Sequence, residues 1–198
     1  MKPSITSVCG LLLLLTVLSF FSQAFSATAA ETAKLQKGGV VVKESPTPSS
    51  NKDALPVVSA QILIPKPPAD VWKKVQQPEH LMEKEAKVKS IKVVSQAGNR
   101  KDLAYTVMMS KLLPTFQYTL RHQPTQPMKL SFWRLNGSFK DVKGSWLVTP
   151  YNNGKNSILT YNISIDPGPL VPRFLLQTAL KSDLPNMMNN VKSVLLKP

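Results

Sequence analysis

Residues 158–166 read Ile-Leu-Thr-Tyr-Asn-Ile-Ser-Ile-Asp, and this stretch decides the fold class. Large apolar side chains alternate in it with polar ones, so that each kind occupies one side of an extended chain. The apolar side consists of Leu159, Tyr161, Ile163 and Ile165, and the polar side of Thr160, Asn162, Ser164 and Asp166. Such alternation predicts a strand of an antiparallel sheet that buries one face and leaves the other polar.

The segment that follows changes from the period of a strand to that of a helix. Residues 166–169 read Asp-Pro-Gly-Pro and end the strand, and Pro172 suits the first turn of a helix. Beyond it, apolar residues recur every three or four positions and predict one long C-terminal helix. They are Phe174, Leu176, Leu180, Leu184, Met187, Met188, Val191, Val194 and Leu195. Pro185 lies within this stripe and is expected to kink the helix.

Upstream of residue 158, further segments have the composition of strands, and Asn-Gly pairs at 136–137 and 153–154 predict hairpin turns. Short helices are expected near Pro68 and over residues 79–84. The predicted strands are 57–64, 88–94, 103–109, 116–122, 128–134 and 140–149. Consecutive strands followed by one long helix indicate an α+β domain in which the helix covers one sheet face.

The N-terminus has the three parts of a secretory signal peptide. Lys2 precedes an apolar stretch over residues 8–25, and Ala27-Thr28-Ala29 is a small-residue cleavage pattern. We therefore predict a signal peptide over residues 1–29, cleavage before Ala30, and a secreted or periplasmic mature protein. The alternative is an uncleaved anchor that keeps the protein at the membrane, since about 18 apolar-rich residues approach the length of a bilayer span. Cleavage would also remove Cys9, the only cysteine.

Residues 30–56 are predicted to form a flexible linker, because they are rich in Pro, Ser and Lys and lack an apolar period. Val40-Val41-Val42 has the composition of a short strand, without local support for one. The predicted domain, residues 57–198, has 20 Lys and Arg against 8 Asp and Glu, a net charge of +12 out of +14 for the chain. Its expected partners are anionic, above all a membrane surface, while export argues against nucleic acid. The alternative is a basic charge that serves only solubility.

Three phrases resemble the START-like or Bet v 1-like (SRPBCC) superfamily, and within it polyketide cyclase/dehydrase-type and coenzyme Q-binding-type START domains. They are Ile-Pro-Lys-Pro-Pro-Ala-Asp-Val-Trp (64–72), Gly-Ser-Trp-Leu-Val-Thr-Pro (144–150) and Asp-Pro-Gly-Pro-Leu-Val-Pro (166–172). The resemblance implies a helix-grip fold, in which a curved antiparallel sheet of about six to seven strands wraps around the long C-terminal helix. It also implies an apolar cavity between sheet and helix. Residues 81–87 depart from the family, because they are charged where many members have an aromatic or Pro-containing phrase.

The residues themselves predict no catalytic constellation. The two histidines, His80 and His122, lie far apart, and neither metal-ligand spacing nor a glycine-rich phosphate loop is present. No cofactor and no metal are therefore expected. The candidate cavity residues are aromatic or flexible apolar side chains in the predicted strands and the last helix. They are Tyr105, Tyr118, Trp133, Trp146, Phe174 and Met187.

Three functions remain open from the sequence. The first is non-enzymatic binding or transfer of a lipid or other hydrophobic small molecule. The second is an enzyme of the cyclase or aromatase kind, and the third is a basic module that binds a membrane or an acidic partner without a ligand. A polar group inside a closed cavity, such as His122, Arg134 or Tyr118, would distinguish the enzyme from the other two.

Overall fold

A curved, open antiparallel sheet of eight strands is the centre of the molecule, in the order β1-β2-β8-β7-β6-β5-β4-β3. The computed structural model describes residues 28–46, 56–108, 115–170 and 172–197. The strands are β1 (Val41–Ser45), β2 (Val57–Ile64), β3 (Val88–Ala97), β4 (Arg100–Val107), β5 (Phe116–Gln126), β6 (Lys129–Gly137), β7 (Asp141–Tyr151) and β8 (Asn156–Asp166). The helices are α1 (Ala29–Gln36), α2 (Pro68–Val75), α3 (Pro78–Leu81) and α4 (Arg173–Leu196), with a 3-10 turn at Gly168–Leu170.

The alternating stretch that predicted a strand is β8. It pairs on one side with β2 and on the other with β7, so that Tyr161 lies between Ala60 and Trp146. Leu159 and Ile163 are buried on the same face. The α+β class and the C-terminal helix are thereby confirmed.

The helix α4 packs mainly on β2 and also contacts β1 and α3. Its buried residues follow the predicted spacing and include Leu176, Leu184, Met188, Val191 and Leu195. Residue 174 departs from that stripe, since it lies two positions before Leu176 and points to another side of the helix. Its side chain is 67% exposed. The helix continues through Pro185 to Leu196.

The N-terminal segment differs from the predicted linker, because α1 and β1 both lie within residues 29–45. A capping box begins α1, in which the backbone N–H of Glu31 donates to Thr28 Oγ1 and that of Thr28 donates to the Glu31 carboxylate. Leu35 is buried, and β1 pairs with β2. This extra strand explains why the sheet has eight strands where six to seven were predicted.

Two parts of the N-terminal interpretation lie outside the described residues. These are the predicted signal peptide up to residue 27 and the Pro- and Ser-rich part of the linker, residues 47–55. Within the part of the chain that the structure describes, no helix is long and apolar enough to cross a membrane.

Candidate functional site

A cavity of about 60 Å³ lies on the inner face of the sheet, beneath α3 and the start of β3. Its lining is aliphatic and aromatic apart from His122 and the tyrosine hydroxyls. The lining residues are Pro78, Met82, Val88, Tyr105, Tyr118, Leu120, His122, Phe132, Val142, Trp146, Tyr161, Ile163 and Ile165. No α4 side chain that the structure describes is among them. The described lining therefore comes from the sheet and from the region of α3.

Aromatic rings form a continuous row along this face, which we call the aromatic row. It begins at Phe116 and Phe139, crosses the middle of the sheet and ends at Trp146. Adjacent ring centroids are 4.3 to 6.0 Å apart, in the order Phe116, Phe139, Tyr118, Tyr105, His122, Phe132, Tyr161 and Trp146. Aromatic pairs at such distances attract one another beyond simple area burial. The row thus makes a rigid, mostly apolar wall.

Gly144 makes room for this wall. In the register of the sheet it lies between Phe132 on β6 and Ile163 on β8. A Cβ atom built on Gly144 would overlap the backbone oxygen of Asn162 and the ring of Phe132. The absence of a side chain therefore allows the Phe132 ring to lie across β7 and stack with Tyr161.

His122 is the most polar side chain of the lining. It is 3% exposed, and its Nε2 lies 3.3 Å from the hydroxyl of Tyr105. The backbone of Leu120 is a further hydrogen-bond partner of the ring. His122 is therefore a buried polar side chain within an otherwise apolar wall.

Burial lowers the pKa of His122 from its ordinary value of 6.5 to about 4. A hydrogen bond with the Leu120 backbone and the carboxylates of Glu79 and Asp102 oppose this lowering, whereas Lys101 adds to it. Burial also raises the pKa of Tyr105, together with the neighbouring Tyr118 hydroxyl. At neutral pH the site therefore presents a neutral imidazole and neutral phenols.

Ion pairs attach the roof of the cavity to the sheet and to α4. Glu79 on α3 pairs with Lys101 on β4, and both side chains are about one-sixth exposed. Lys87, at the start of β3, pairs with Asp183 on α4. We call the Glu79–Lys101 pair the latch, because it ties α3 to the strand that carries Tyr105.

The structure brings three of the six predicted cavity residues together. Tyr105, Tyr118 and Trp146 line the cavity. Trp133 is half-buried and follows Phe132 directly, so the pleat of β6 directs it to the other face. Phe174 is exposed, and Met187 is buried in the core outside the cavity lining.

His122, Phe132 and Tyr161 are the important lining residues that the candidate set omits. The alternation of β5 and β8 contained the signal, since His122 shares a strand face with Tyr118 and Tyr161 shares one with Ile163. In β6 the same two-residue period puts Phe132 and Trp133 on opposite faces, so that Phe132 rather than Trp133 is the candidate for the cavity.

Two further grooves, both more open than the aromatic cavity, are less suited to an apolar ligand. One of about 240 Å³ lies between α3 and β3 and is lined by Glu79, His80, Glu83 and Lys89 among others. The other, of about 490 Å³, lies between α1 and the β7–β8 turn and is mostly polar, with Gln36 and Asn152 among its residues. The aromatic cavity is therefore the candidate site.

Comparison with solved structures places this fold among START-like proteins. Zhui aromatase/cyclase from Streptomyces sp. R1128 is 12% identical with a TM-score of 0.58, covering 70% of this chain and 92% of that one. Human STARD10 is 15% identical with a TM-score of 0.63, covering 80% and 70%. The STAR-related lipid transfer protein from Xanthomonas axonopodis is 13% identical with a TM-score of 0.60, covering 80% and 94%. At these identities the likeness concerns the fold.

The comparison with protein families gives a match over most of the domain. The family described as "Polyketide cyclase / dehydrase and lipid transport" matches residues 56–195, more than half of the chain. No curated protein matches. The matched range includes every strand from β2 to β8 and nearly all of α4. The chain therefore belongs to the polyketide cyclase/dehydrase and lipid transport family of the START-like superfamily.

Proposed function

We propose that this protein binds or transfers a lipid or another hydrophobic small molecule without catalysis. The observation that carries the proposal is the cavity with its aromatic row, which is the kind of lining that apolar ligands prefer. Membership of a family that includes lipid transport supports it.

The size of the cavity sets a condition on binding. Its volume of about 60 Å³ is well below the roughly 300 Å³ or more of ordinary ligand sites. A ligand must therefore displace part of the roof. The roof includes α3, a single turn that buries Leu81 and is tied to β4 by the latch.

The binding function is tested by mass spectrometry of the gently purified native protein. We expect a co-purifying apolar molecule or, after delipidation, uptake of added fatty alcohols and aromatic compounds. Val142→Phe fills the cavity and should weaken binding about tenfold or more, because the ring occupies the ligand's place. Val93→Phe, on an exposed part of β3, is the matched control. Absence of any bound molecule under all these conditions would contradict the proposal.

The latch gives a prediction about the rate of binding. Lys101→Met should destabilise the fold by about 1 to 2 kcal/mol, because it leaves the partly buried Glu79 without its cation. It should also accelerate ligand uptake several-fold in stopped-flow measurements, since α3 then separates more readily from β4. Lys143→Met, on an exposed lysine of β7, is the control. Unchanged uptake in Lys101→Met would show that the ligand enters elsewhere.

We propose that the protein binds its ligand outside the cytosol, because residues 1–29 have the pattern of a secretory signal peptide. Expression of the full chain followed by N-terminal sequencing tests it. A mature protein that begins at Ala30 in the secreted or periplasmic fraction supports export with cleavage. An intact N-terminus in the membrane fraction supports the anchor instead.

An anionic membrane surface is the partner that the charge distribution favours. Lys66 and Lys74 both donate to the backbone oxygen of Lys197 at the end of α4. One turn earlier, Lys192 lies beside Gly38, which follows Lys37 at the end of α1. We call this group of lysines the lysine end. Clustered lysines gain free energy near anionic headgroups.

Vesicle flotation tests this partner. We expect binding to phosphatidylcholine vesicles only when they contain phosphatidylserine, and weaker binding in salt. The double variant Lys37→Gln/Lys192→Gln should bind about tenfold or more weakly, at about 1 kcal/mol per lysine. Lys140→Gln/Lys143→Gln removes the same charge from lysines that pair with Asp166 and Asp141, and serves as the control. Equal loss in both variants would contradict a role specific to the lysine end.

A cyclase or aromatase activity is the second candidate, favoured by one observation. His122 and Tyr105 form a neutral base and a neutral acid in a mostly apolar cavity, 3.3 Å apart. Ring closure of a poly-β-ketone needs a base to remove a carbon-bound proton and an acid near a carbonyl oxygen. Incubation with a linear poly-β-ketone tests it. Ring formation above the spontaneous rate that disappears in His122→Phe would favour the enzyme over the binder.

A further inference from the structure

The aromatic cavity and the groove between α3 and β3 are neighbours that share part of their walls. Met82, the residue after α3, and Val88, the first residue of β3, line both spaces. Both side chains are partly buried and pack against the core. They therefore form a partition, with the cavity on one side of it and the groove on the other.

The two sides of this partition differ in how firmly they are held. Val88 belongs to the sheet, where it pairs with Val107 on β4. The residue before it is held as well, since the backbone N–H of Met108 donates to the Lys87 carbonyl. Met82 lies in a turn outside the sheet, and its side chain is unbranched and adaptable. A change of the Met82 rotamer can therefore join the two spaces without moving a strand.

The sizes and the polarities of the two spaces complement each other. The cavity of about 60 Å³ and the groove of about 240 Å³ together approach the roughly 300 Å³ at which ordinary ligand sites begin. The cavity lining is mostly aromatic and aliphatic, whereas the groove lining includes charged side chains and the hydroxyl of Ser90. A molecule with one apolar end and one polar end matches this arrangement.

The charges in the groove favour one kind of polar end. Its two carboxylates already have partners, since Glu79 pairs with Lys101 and the ring of His80 pairs with Glu83. Lys89 is exposed and has no ion-pair partner among the described residues. An anion beside Lys89 gains a counter-charge and, in this open groove, keeps part of its hydration. A carboxylate therefore suits the groove better than an ammonium group does.

We propose that the cavity and the groove form one elongated site for an amphiphile with a single apolar chain and a carboxylate end. The chain lies against the aromatic row, the narrow point of the site lies between Met82 and Val88, and the carboxylate contacts Lys89. The inference rests on the proposed binding function, to which it adds a class of ligand and an orientation.

Decanoic acid and 1-decanol test the carboxylate end, because they have the same chain length and differ in charge at neutral pH. In calorimetric titrations, Lys89→Gln should weaken the binding of decanoic acid about three- to fivefold, the upper range for an exposed ion pair, and leave that of 1-decanol unchanged. Lys92→Gln removes the same charge from an exposed lysine of β3 outside the groove lining. It should leave the binding of both probes unchanged.

Met82→Ala tests the partition. It should accelerate the uptake of both probes several-fold in stopped-flow tryptophan fluorescence, because it removes the adaptable side of the narrow point. Leu180→Ala shortens a partly buried side chain on α4 that lines neither space, and is the matched control. Val93 lines only the outer end of the groove, roughly 16 Å along β3 from Val88, so Val93→Phe should also leave uptake unchanged. Equal acceleration in Met82→Ala and Leu180→Ala would contradict a partition at Met82.

The orientation of the ligand is measured without any variant. Nuclear Overhauser contacts should join the terminal methyl group of decanoic acid to the rings of Phe132 and Trp146, and the methylene group next to its carboxylate to Lys89. The reverse orientation, or an unchanged affinity of Lys89→Gln for decanoic acid, overturns the inference and leaves apolar binding intact. Failure of both probes to bind overturns the proposed function itself.

Discussion

Gly144→Ala is expected to lower the free energy of unfolding by at least about 3 kcal/mol, since overpacking alone costs about 1 to 3 kcal/mol and this clash involves backbone. The added methyl group would overlap the backbone oxygen of Asn162 on β8 and the ring of Phe132 on β6. Both strands are paired on either side of β7, so neither can retreat without breaking sheet hydrogen bonds. Urea denaturation of the two proteins measures the difference.

A control at another glycine separates the clash from the general effect of adding a methyl group. Gly98 has φ +58° in the β3–β4 turn, with nothing within 4 Å of an added Cβ atom. Gly98→Ala should cost only about 1 kcal/mol, the usual strain of a non-glycine residue at positive φ. Equal losses in the two variants would show that the inner face of β7 is not close-packed.

The effect of Gly144→Ala should extend to the ligand site. A displaced Phe132 ring loses its contacts with His122 and Tyr161, two neighbours in the aromatic row. We therefore expect the residual folded protein to bind apolar ligands more weakly as well as to be less stable. Gly144 thus contributes to the shape of the site, although it has no side chain.

The fold could be predicted from the sequence because it depends on local patterns. The alternation in residues 158–166 and the helical spacing after Pro172 each determine which face of an element is buried. Consecutive strands with short turns then leave few topologies for the sheet. The antiparallel pairing of β4 to β8 follows chain order and confirms this reasoning.

The parts of the structure that local sequence patterns could not predict depend on pairing between segments that are distant in the sequence. Val41 is buried because β1 pairs with β2 across a gap in sequence, and five residues alone carry too weak a signal to show this. Similarly, the packing of α4 against β2 depends on the whole curvature of the sheet. The cavity was consequently expected beside α4, whereas its described lining comes from the sheet and the α3 region.

The candidate site was predictable only in part for the same reason. Residue type alone selected Trp133 and Phe174 as large aromatic side chains, but the side of the strand or helix decides whether such a side chain reaches the cavity. His122 was recognised as a possible polar group in a closed cavity. Its burial and its contact with Tyr105 required the three-dimensional arrangement.

Acidification from pH 6.5 to pH 4 is expected to reduce the stability of this protein through His122 alone by about 3 kcal/mol. The unfolded chain takes up a proton near its ordinary pKa of 6.5, whereas burial lowers the pKa in the folded protein to about 4. Between these values the unfolded state binds more protons, so acid favours unfolding. The contribution is complete above pH 6.5 and lost at pH 4, at about 1.4 kcal/mol per pH unit.

Urea denaturation at pH 7, 6 and 5 measures this slope before most carboxylates titrate. His122→Phe should remove this pH dependence, because the variant has no proton to gain at this position. His80→Asn should retain the pH dependence, since His80 is exposed. A slope unchanged in His122→Phe would mean that the His122 ring is solvated in the folded protein and that another group carries the pH dependence.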